Sequence, residues 1–219
     1  MLVSIPLYRC WSRLRGLDFD FVSIQDLALD PSYANYHKNG GGPLLCDLLK
    51  QLQIKDADAI LDLGSGKGGA MATLARYPFH AVHGVEISSE LVGIARKNLS
   101  KLNLPQCAVY HADAVAFSEL DDYTYFFMFN PFPELVLKHA LANIEVSLRR
   151  KPRRIRLIYI NPVHEQTILA RGIFEKILVY QPYDGYLIRV YSTRPADFYT
   201  EGPETPPRQE FRFSKREHA

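Results

Sequence analysis

Short apolar runs alternate with segments of helical periodicity along the middle of the chain. Apolar runs bounded by turn residues are typical of strands in a parallel sheet, and the amphipathic segments after them are typical of crossover helices. The predicted strands are 59–63, 80–86, 106–111, 124–130 and 154–161, and the predicted helices are 69–77, 89–103, 134–149 and 164–171. This order indicates an α/β fold built on a parallel sheet.

The pattern changes near the end of the predicted core. Two β-rich runs, 174–180 and 186–192, flank the dipeptide Asp184-Gly185, which is a strong hairpin signal. We therefore expect the sheet to begin parallel and to end with an antiparallel pair.

Three regions are predicted from these patterns. Residues 1–58 form a helical preface, in which 43–52 carries a helix-period apolar stripe and Gly40-Gly41-Gly42 indicates a mobile flap or a close backbone approach. Residues 59–193 form the core. Residues 194–219 contain four prolines and many charges with little apolar periodicity, which predicts a mobile tail.

The first predicted strand runs into a glycine-rich loop that carries the most informative chemistry. Asp62 stands at the tip of the strand, and Gly64, Gly66 and Gly68 follow it. A strand, a glycine loop and a helix in this order form a nucleotide-type cradle. A carboxylate at its mouth would repel a pyrophosphate and would suit a ligand with an ammonium group. The loop is not a P-loop, because Lys67 is followed by glycine.

The segment Asp62-Leu63-Gly64-Ser65-Gly66-Lys67-Gly68 resembles motif I of the class I S-adenosylmethionine (SAM) methyltransferases, and the resemblance extends over residues 59–192. It implies a three-layer, Rossmann-like fold with a mostly parallel seven-stranded sheet, an antiparallel C-terminal hairpin strand and an N-terminal helical lid. It also implies SAM as cofactor and S-adenosylhomocysteine as product. Asp62 and the loop residues Gly64, Ser65, Gly66 and Gly68 would hold the methionine end of SAM.

Two further acids follow the next strands of the predicted sheet. Glu86 ends the second strand and Asp113 follows the third, and ligands of open α/β sheets bind at these carboxyl ends. The resemblance implies that Glu86 accepts hydrogen bonds from the ribose hydroxyls and that Ile87 packs on the adenine. It assigns the adenine amino group to Asp113 and the adenine ring to the backbone amide of Ala114.

The fourth predicted strand ends in Asn130-Pro131-Phe132-Pro133. This resembles the Asn/Asp-Pro-Pro-aromatic motif of amino-nitrogen methyltransferases, with Phe132 in place of the second proline and Pro133 in place of the aromatic residue. The resemblance implies that the Asn130 amide oxygen and the Pro131 carbonyl orient the target nitrogen, and positioning supplies most of the catalysis in such a displacement. Asn130, Pro131 and Phe132 are thus the candidate catalytic residues, and Asn130 should also line the cofactor pocket. The alternative is a plain turn at a strand end.

Residues outside the core motifs give further candidates. Tyr33, Tyr36 and His37 precede the glycine triplet and are candidates for lid and acceptor contacts, although a plain polar loop is an equal alternative. Asn161-Pro162 partly repeats the Asn130 motif and is followed by His164. His164 is either a general base or, as we prefer, a surface histidine.

Composition narrows the possible partners. The chain has 219 residues, is 47% hydrophobic and carries a net charge of +2, which fits one globular domain and does not indicate nucleic-acid binding. Six basic residues between 149 and 156 suit either RNA phosphates or, as we prefer, a solvated helix end. Three scattered cysteines suit a reducing compartment, so we expect a cytoplasmic location. We expect no metal site, because no His or Cys cluster is visible, and no membrane span, which needs about 20 apolar residues.

Together these patterns predict a SAM-dependent methyltransferase. The expected acceptor is a nitrogen of a protein side chain or a small molecule, with RNA as a third class. One alternative is a SAM-binding module without catalysis. Another is an NAD-linked oxidoreductase, against which Asp62 and the terminal hairpin argue.

Overall fold

The computed structural model describes Cys10 and residues 12–27, 29–181 and 186–193. Seven strands form one sheet in the order β3-β2-β1-β4-β5-β7-β6. They are β1 (Ala59–Leu63), β2 (Ala81–Glu86), β3 (Cys107–His111), β4 (Tyr125–Phe129), β5 (Arg156–Ile160), β6 (Phe174–Tyr180) and β7 (Ile188–Thr193). Strands β1 to β5 are parallel, and β7 lies antiparallel between β5 and β6. The predicted mixed sheet is therefore confirmed, while the turn at Asp184-Gly185 and the tail 194–219 lie outside the described residues.

Helices connect or flank these strands. They are α1 (Pro43–Leu49), α2 (Gly69–Leu74), α3 (Ser89–Lys101), α4 (Glu134–Arg150) and α5 (Glu165–Leu169). The side chain of Ser88 caps α3 by accepting a hydrogen bond from the backbone N–H of Leu91 at 3.3 Å. This cap fixes where the helix begins, and so fixes the turn that follows β2.

Two hydrophobic layers cover the two faces of the sheet. Successive side chains of a strand point to opposite faces. In β4, Phe126 and Met128 pack in the layer with α4, whereas Tyr125 and Phe127 pack in the layer with α1, α2 and α3. Both faces of the central strands are therefore dry, which explains why these strands are continuous apolar runs.

The region before β1 is not the helical lid that was predicted. Among its described residues, α1 and a short helical stretch ending at Leu14 are the helical parts, and most of the rest consists of turns and extended chain. Short polar side chains close these turns: Asp30 accepts from the backbone N–H of Ser32 at 2.8 Å, and Ser23 accepts from that of Asp26 at 3.2 Å. Such local bonds compete with helix formation.

Residues 37–42, called the strap below, lie directly on the start of α2. A Cβ on Gly41 would lie 2.0 Å from the carbonyl oxygen of Gly69, and a Cβ on Gly69 would lie 2.1 Å from Asn39 Oδ1. The backbone N–H of Gly42 donates to Thr73 Oγ1 at 2.8 Å. Of the two interpretations of the glycine triplet, the structure shows the close backbone approach.

The basic run after α4 binds the loop before β4, at the amino ends of the parallel strands. Arg150 pairs with Asp121 and Lys151 with Asp122, each at 2.7 Å. Arg153 donates to the carbonyl of Tyr123 at 2.8 Å. These basic side chains therefore hold a structural loop at the edge of the sheet opposite the candidate site.

We expect Gly41→Ala to lower the free energy of unfolding by about 1–3 kcal/mol, because the strap must move off the backbone of α2. The control is Gly93→Ala inside α3, where nothing lies within 4 Å of an added Cβ. That change should raise stability by roughly 0.5–1 kcal/mol, since glycine is unfavourable within a helix. Urea unfolding measures both, and equal effects would show that the close contact is absent in solution.

Candidate functional site

A cavity opens at the carboxyl ends of the parallel strands, under Leu27 and residues 29–38. Its volume is about 70 Å³. The predicted site residues that line it are Tyr33, Tyr36, His37, Gly64, Gly66, Glu86, Ile87, Asp113, Ala114, Pro131 and Phe132. Four other predicted site residues, Asp62, Ser65, Gly68 and Asn130, do not line it. The fold thus brings residues from five separate segments to one edge of the sheet.

The floor of the cavity is the glycine loop between β1 and α2. Gly64, Gly66 and Gly68 have φ angles of 81°, 53° and 79°, which side chains rarely tolerate. A Cβ on Gly64 would lie 2.4 Å from Pro131 Cβ, and one on Gly66 would lie 2.1 Å from His37 Nδ1. The loop therefore needs glycine both for its turn and for the residues that cover it.

Glu86 organises the loop from the end of β2. Its carboxylate accepts hydrogen bonds from the backbone N–H groups of Gly66 and Ser88, both at 2.9 Å. Burial raises the pKa of Glu86, and these backbone bonds act in the opposite direction. A carboxylate has about four acceptor positions, so acceptor capacity remains for ligand hydroxyls. This arrangement fits the ribose role that the resemblance implies.

Asp62 places a second buried carboxyl group beside Glu86. Its side chain is almost inaccessible, and burial followed by the charge of Glu86 raises its pKa well above the usual value. Two neighbouring buried carboxylates are costly unless a cation accompanies them. A ligand with an ammonium and a sulfonium group supplies such a charge, so these residues fit SAM.

Ser65 and Gly68 support the loop from outside the cavity. The Ser65 hydroxyl faces β2, where a Cβ on Gly84 would lie 2.6 Å from it, and no described residue hydrogen-bonds to it. The backbone N–H of Ser65 donates to the carbonyl of Val85 at 3.0 Å. Gly68 is the N-cap residue of α2 in a left-handed conformation. These two residues shape the cavity by fixing the backbone conformation of the glycine loop.

Asp113 connects the end of β3 with residues 33–37, which form the roof of the cavity. One carboxylate oxygen accepts from the backbone N–H of Val115 at 2.8 Å, and the other accepts from the Tyr33 hydroxyl at 3.3 Å. Burial, and then the charge of Asp113, raise the pKa of Tyr33 to about 12. Tyr33 therefore stays a hydrogen-bond donor at neutral pH.

The Asn130 turn is already hydrogen-bonded within the chain. Asn130 has a φ of 39°, and its amide oxygen accepts from the Tyr159 hydroxyl at 3.1 Å. Asn35 donates its backbone N–H to the Pro131 carbonyl at 2.9 Å and its side-chain amide to the Asn130 carbonyl at 2.8 Å. Each carbonyl or amide oxygen has a second lone pair. Phe132 is largely buried and packs in the layer with α4.

His37 covers the glycine loop from above. Burial, and then the charge of Lys67, lower the pKa of His37 to about 4, so the ring is neutral at pH 7. Its Nε2 atom is buried, and no described residue bonds to it. Beside it, the buried Lys67 ammonium pairs with Asp18 at 2.6 Å. The N-terminal region thus touches the loop from both sides.

Asn161 has the same backbone conformation as Asn130, with a φ of 53°. Asparagine tolerates the left-handed region better than most residues, so both parallel strands end in the same kind of turn. His164 is the N-cap residue of α5, and its side chain lines neither this cavity nor the second one described below. Its backbone N–H instead bonds to the Tyr159 hydroxyl.

Sequence reasoning missed several residues of the site. Asn35 lies in a loop without a recognisable motif, and Tyr159 is an ordinary residue of an apolar strand. Lys38 and Phe129 also line the cavity. The periodicity of β4 marks Phe129 as a strand residue, but no pattern in the sequence places Asn35 against Pro131.

Neither a metal cluster nor a membrane span is found in the part of the chain that the structure describes. No group of three or more His, Cys, Asp or Glu side chains is placed to hold a metal ion there. Within the same residues, no helix is long and apolar enough to cross a bilayer.

Residues 60–151 match the sequence profile of a family described as a methyltransferase domain. A search of curated proteins gave no match. The matched range contains the glycine loop, Glu86, Asp113 and the Asn130 turn, so the residues that form most of the cavity lie inside it.

Solved structures share the fold at low sequence identity. MtNAS in complex with S-adenosylmethionine is 17% identical with a TM-score of 0.56, and the match covers 69% of this chain and 61% of that chain. An rRNA methylase from Streptococcus thermophilus is 16% identical with a TM-score of 0.51, covering 70% and 95%. A SAM-dependent methyltransferase from Aquifex aeolicus is 19% identical with a TM-score of 0.53, covering 67% and 87%. These likenesses establish the fold.

We expect Glu86→Gln to weaken SAM binding by tenfold to a hundredfold, because hydrogen bonds to a charged group contribute about 1.5–3 kcal/mol. Calorimetric titration with SAM measures the change. Glu90→Gln, at an exposed acid in the first turn of α3, is the matched control and should bind SAM like the unmodified protein. Equal affinities for all three proteins would exclude Glu86 from the binding site.

The pH dependence of stability tests the position of His37. Its folded pKa of about 4 lies below its ordinary value of 6.5. Between these values the unfolded chain binds a proton that the folded chain does not, so stability falls as the pH falls through this window. The stability difference between the protein and His37→Gln should therefore shrink from pH 7 to pH 4.5 in urea unfolding. A constant difference for His37→Gln would show that the ring is not buried.

Proposed function

We propose that this chain, whose core is a class I, Rossmann-like methyltransferase domain, is a SAM-dependent methyltransferase that acts on a nitrogen of a small molecule or a protein side chain. One observation carries the proposal: a single cavity joins the glycine loop, the acids at the ends of β2 and β3, and the Asn130 turn at the end of β4. The first three groups fit the cofactor, and the last faces the position for an acceptor.

Different residues would hold the methionine, ribose and adenine parts of SAM. Asp62 lies near the loop, where its carboxylate favours the cationic methionine end, and Glu86 keeps acceptor capacity for the ribose. Ile87, Ala114 and Asp113 border the part of the cavity that would receive the adenine. When bound, SAM supplies a methyl group activated by a sulfonium, which a nucleophile takes as S-adenosylhomocysteine is released.

The Asn130 turn would orient the acceptor. The Asn130 amide oxygen accepts one hydrogen bond, from Tyr159, and the Pro131 carbonyl accepts one, from the backbone N–H of Asn35. Each oxygen therefore keeps a second lone pair for the acceptor. Two fixed acceptors would hold the N–H groups of an amine and direct its lone pair into the cavity. Fixed positioning of this kind is a large part of catalysis in displacement reactions.

The roof over the cavity would exclude water during transfer. Asn35 bonds to the Asn130 turn, Tyr33 to Asp113, and His37 lies on Gly66. These contacts place the roof against both the cofactor groups and the acceptor groups. An acceptor that enters from outside would need the roof to move, because Tyr33, Asn35 and His37 line the cavity from that side.

The test is transfer of a tritiated methyl group from SAM to fractions of a cell extract that contain protein, small molecules or RNA. We expect label in the small-molecule or the protein fraction. Asn130→Gly should lower the transfer rate about a hundredfold, as removal of one fixed polar contact often does, and should leave SAM affinity close to its original value. Asn161→Gly is the matched control, because it makes the same change in a turn of the same conformation.

The alternatives give different results in these experiments. SAM binding without label in any fraction would favour a non-catalytic SAM-binding module. Binding of NAD without binding of SAM would favour an oxidoreductase. Unchanged transfer by Asn130→Gly would show that Asn130 only shapes the turn.

A further inference from the structure

A second cavity adjoins the first at the same edge of the sheet. Its inner wall consists of strand-end residues: Phe129 ends β4, Ile160 ends β5, and Ile188, which pairs with Ile160, begins β7. Its outer wall comes from the strap, the start of α1 and the described residues of 12–21. Its volume is about 530 Å³. The space is large enough for a molecule of more than one ring.

The two cavities have a common wall. Tyr36, Lys38 and Phe129 line both of them. A molecule in the second cavity would therefore lie next to the space that fits the cofactor, with these three side chains at the junction.

Aromatic side chains dominate the mouth of the second cavity. The rings of Phe129 and Tyr186 meet edge to face with centroids 5.1 Å apart, and those of Phe21 and Tyr36 lie 5.6 Å apart. Phe21 and Tyr36 are 57% and 47% exposed, which is high for aromatic residues beside an apolar cavity. Exposed ring faces of this kind favour a flat, apolar ligand.

The charged side chains of the second cavity favour an anionic ligand over a neutral or cationic one. Arg13 and Asp20 in its lining pair with each other at 3.4 Å. Lys38 donates to the Tyr186 hydroxyl at 2.7 Å and lies 4.4 Å from the centre of that ring. Among the residues that the structure describes, no carboxylate pairs with Lys38. An ammonium has three N–H donors, so Lys38 keeps donors for an anionic ligand oxygen.

We propose that the second cavity binds an aromatic acid, with its rings against Phe129, Tyr186 and Tyr36 and its carboxylate on Lys38. The proposal deepens the function proposed above, on which it rests only for the statement that an aromatic acid which also carries an amine nitrogen is the methyl acceptor. The binding itself follows from the aromatic walls and from Lys38, which pairs with no carboxylate among the residues that the structure describes.

Calorimetric titration with three ligands of the same ring system tests the proposal: 2-naphthoate, 2-naphthamide and 2-naphthylmethylammonium. The acid should bind at least tenfold more tightly than the neutral amide, and the cation should bind most weakly. Lys38→Met should remove the preference for the acid while the amide still binds, because methionine keeps the apolar stem. Lys50→Met, at a lysine outside the cavity that pairs with Asp47, should keep the preference.

A second variant tests the location. Leu44 lines the second cavity and not the first, so Leu44→Trp should fill the space and weaken binding of the acid and the amide alike. Its SAM affinity should stay the same, which also shows that the protein is folded. Equal binding of acid and amide, or no binding of either by a protein that binds SAM, would overturn the proposal.

The outcomes separate this proposal from the proposed function. If 2-naphthoate binds with the expected dependence on Lys38 and Leu44 but no aromatic acid takes label from SAM, the binding site stands and its role as acceptor site falls. If label reaches another acceptor in a manner that depends on Asn130, and the acid does not bind, the methyltransferase function stands and the aromatic-acid site falls.

Discussion

The site depends on one contact between two stretches of backbone that lack side chains. Gly41 of the strap and Gly69 at the start of α2 approach so closely that a Cβ on either would clash with the partner segment. Because of this approach, His37 lies on Gly66, and the rest of the roof covers the glycine loop. Lys38 of the strap and the preceding Tyr36 line both cavities, at the wall between them. The loop would otherwise present its backbone to water.

The electrostatics of the cavity follow from burial under this roof. Burial raises the pKa of both Asp62 and Glu86, and the same desolvation keeps His37 neutral. The region therefore stores unfavourable acid–acid repulsion that a cationic ligand would relieve. A pyrophosphate would add negative charge to the same place. The buried acids thus favour SAM over a dinucleotide on physical grounds, in agreement with the methyltransferase profile of residues 60–151.

Asn35 connects the roof of the cavity to the Asn130 turn. Its backbone and side chain bond to the two carbonyls that begin the turn, while Tyr159 fixes the Asn130 amide from the opposite side. Movement of the roof would therefore break the Asn35 bonds at the moment the cavity opens. Under the proposed function, entry of the acceptor and loss of these bonds become one event. Lys38 and Phe129 would place an aromatic acid beside this turn.

The local pattern of the sequence determined the order of strands and helices, the antiparallel end of the sheet, and the three acids at successive strand ends. These depend on apolar periodicity, glycine and short-range turn chemistry, which neighbouring residues decide. Tertiary structure alone decided that Asn35 and Tyr159 occupy the Asn130 turn and that Ser65 faces β2. It also created the second cavity. Each of these features joins residues distant in the chain, and their contacts depend on how closely the strap approaches the glycine loop, which no local pattern encodes.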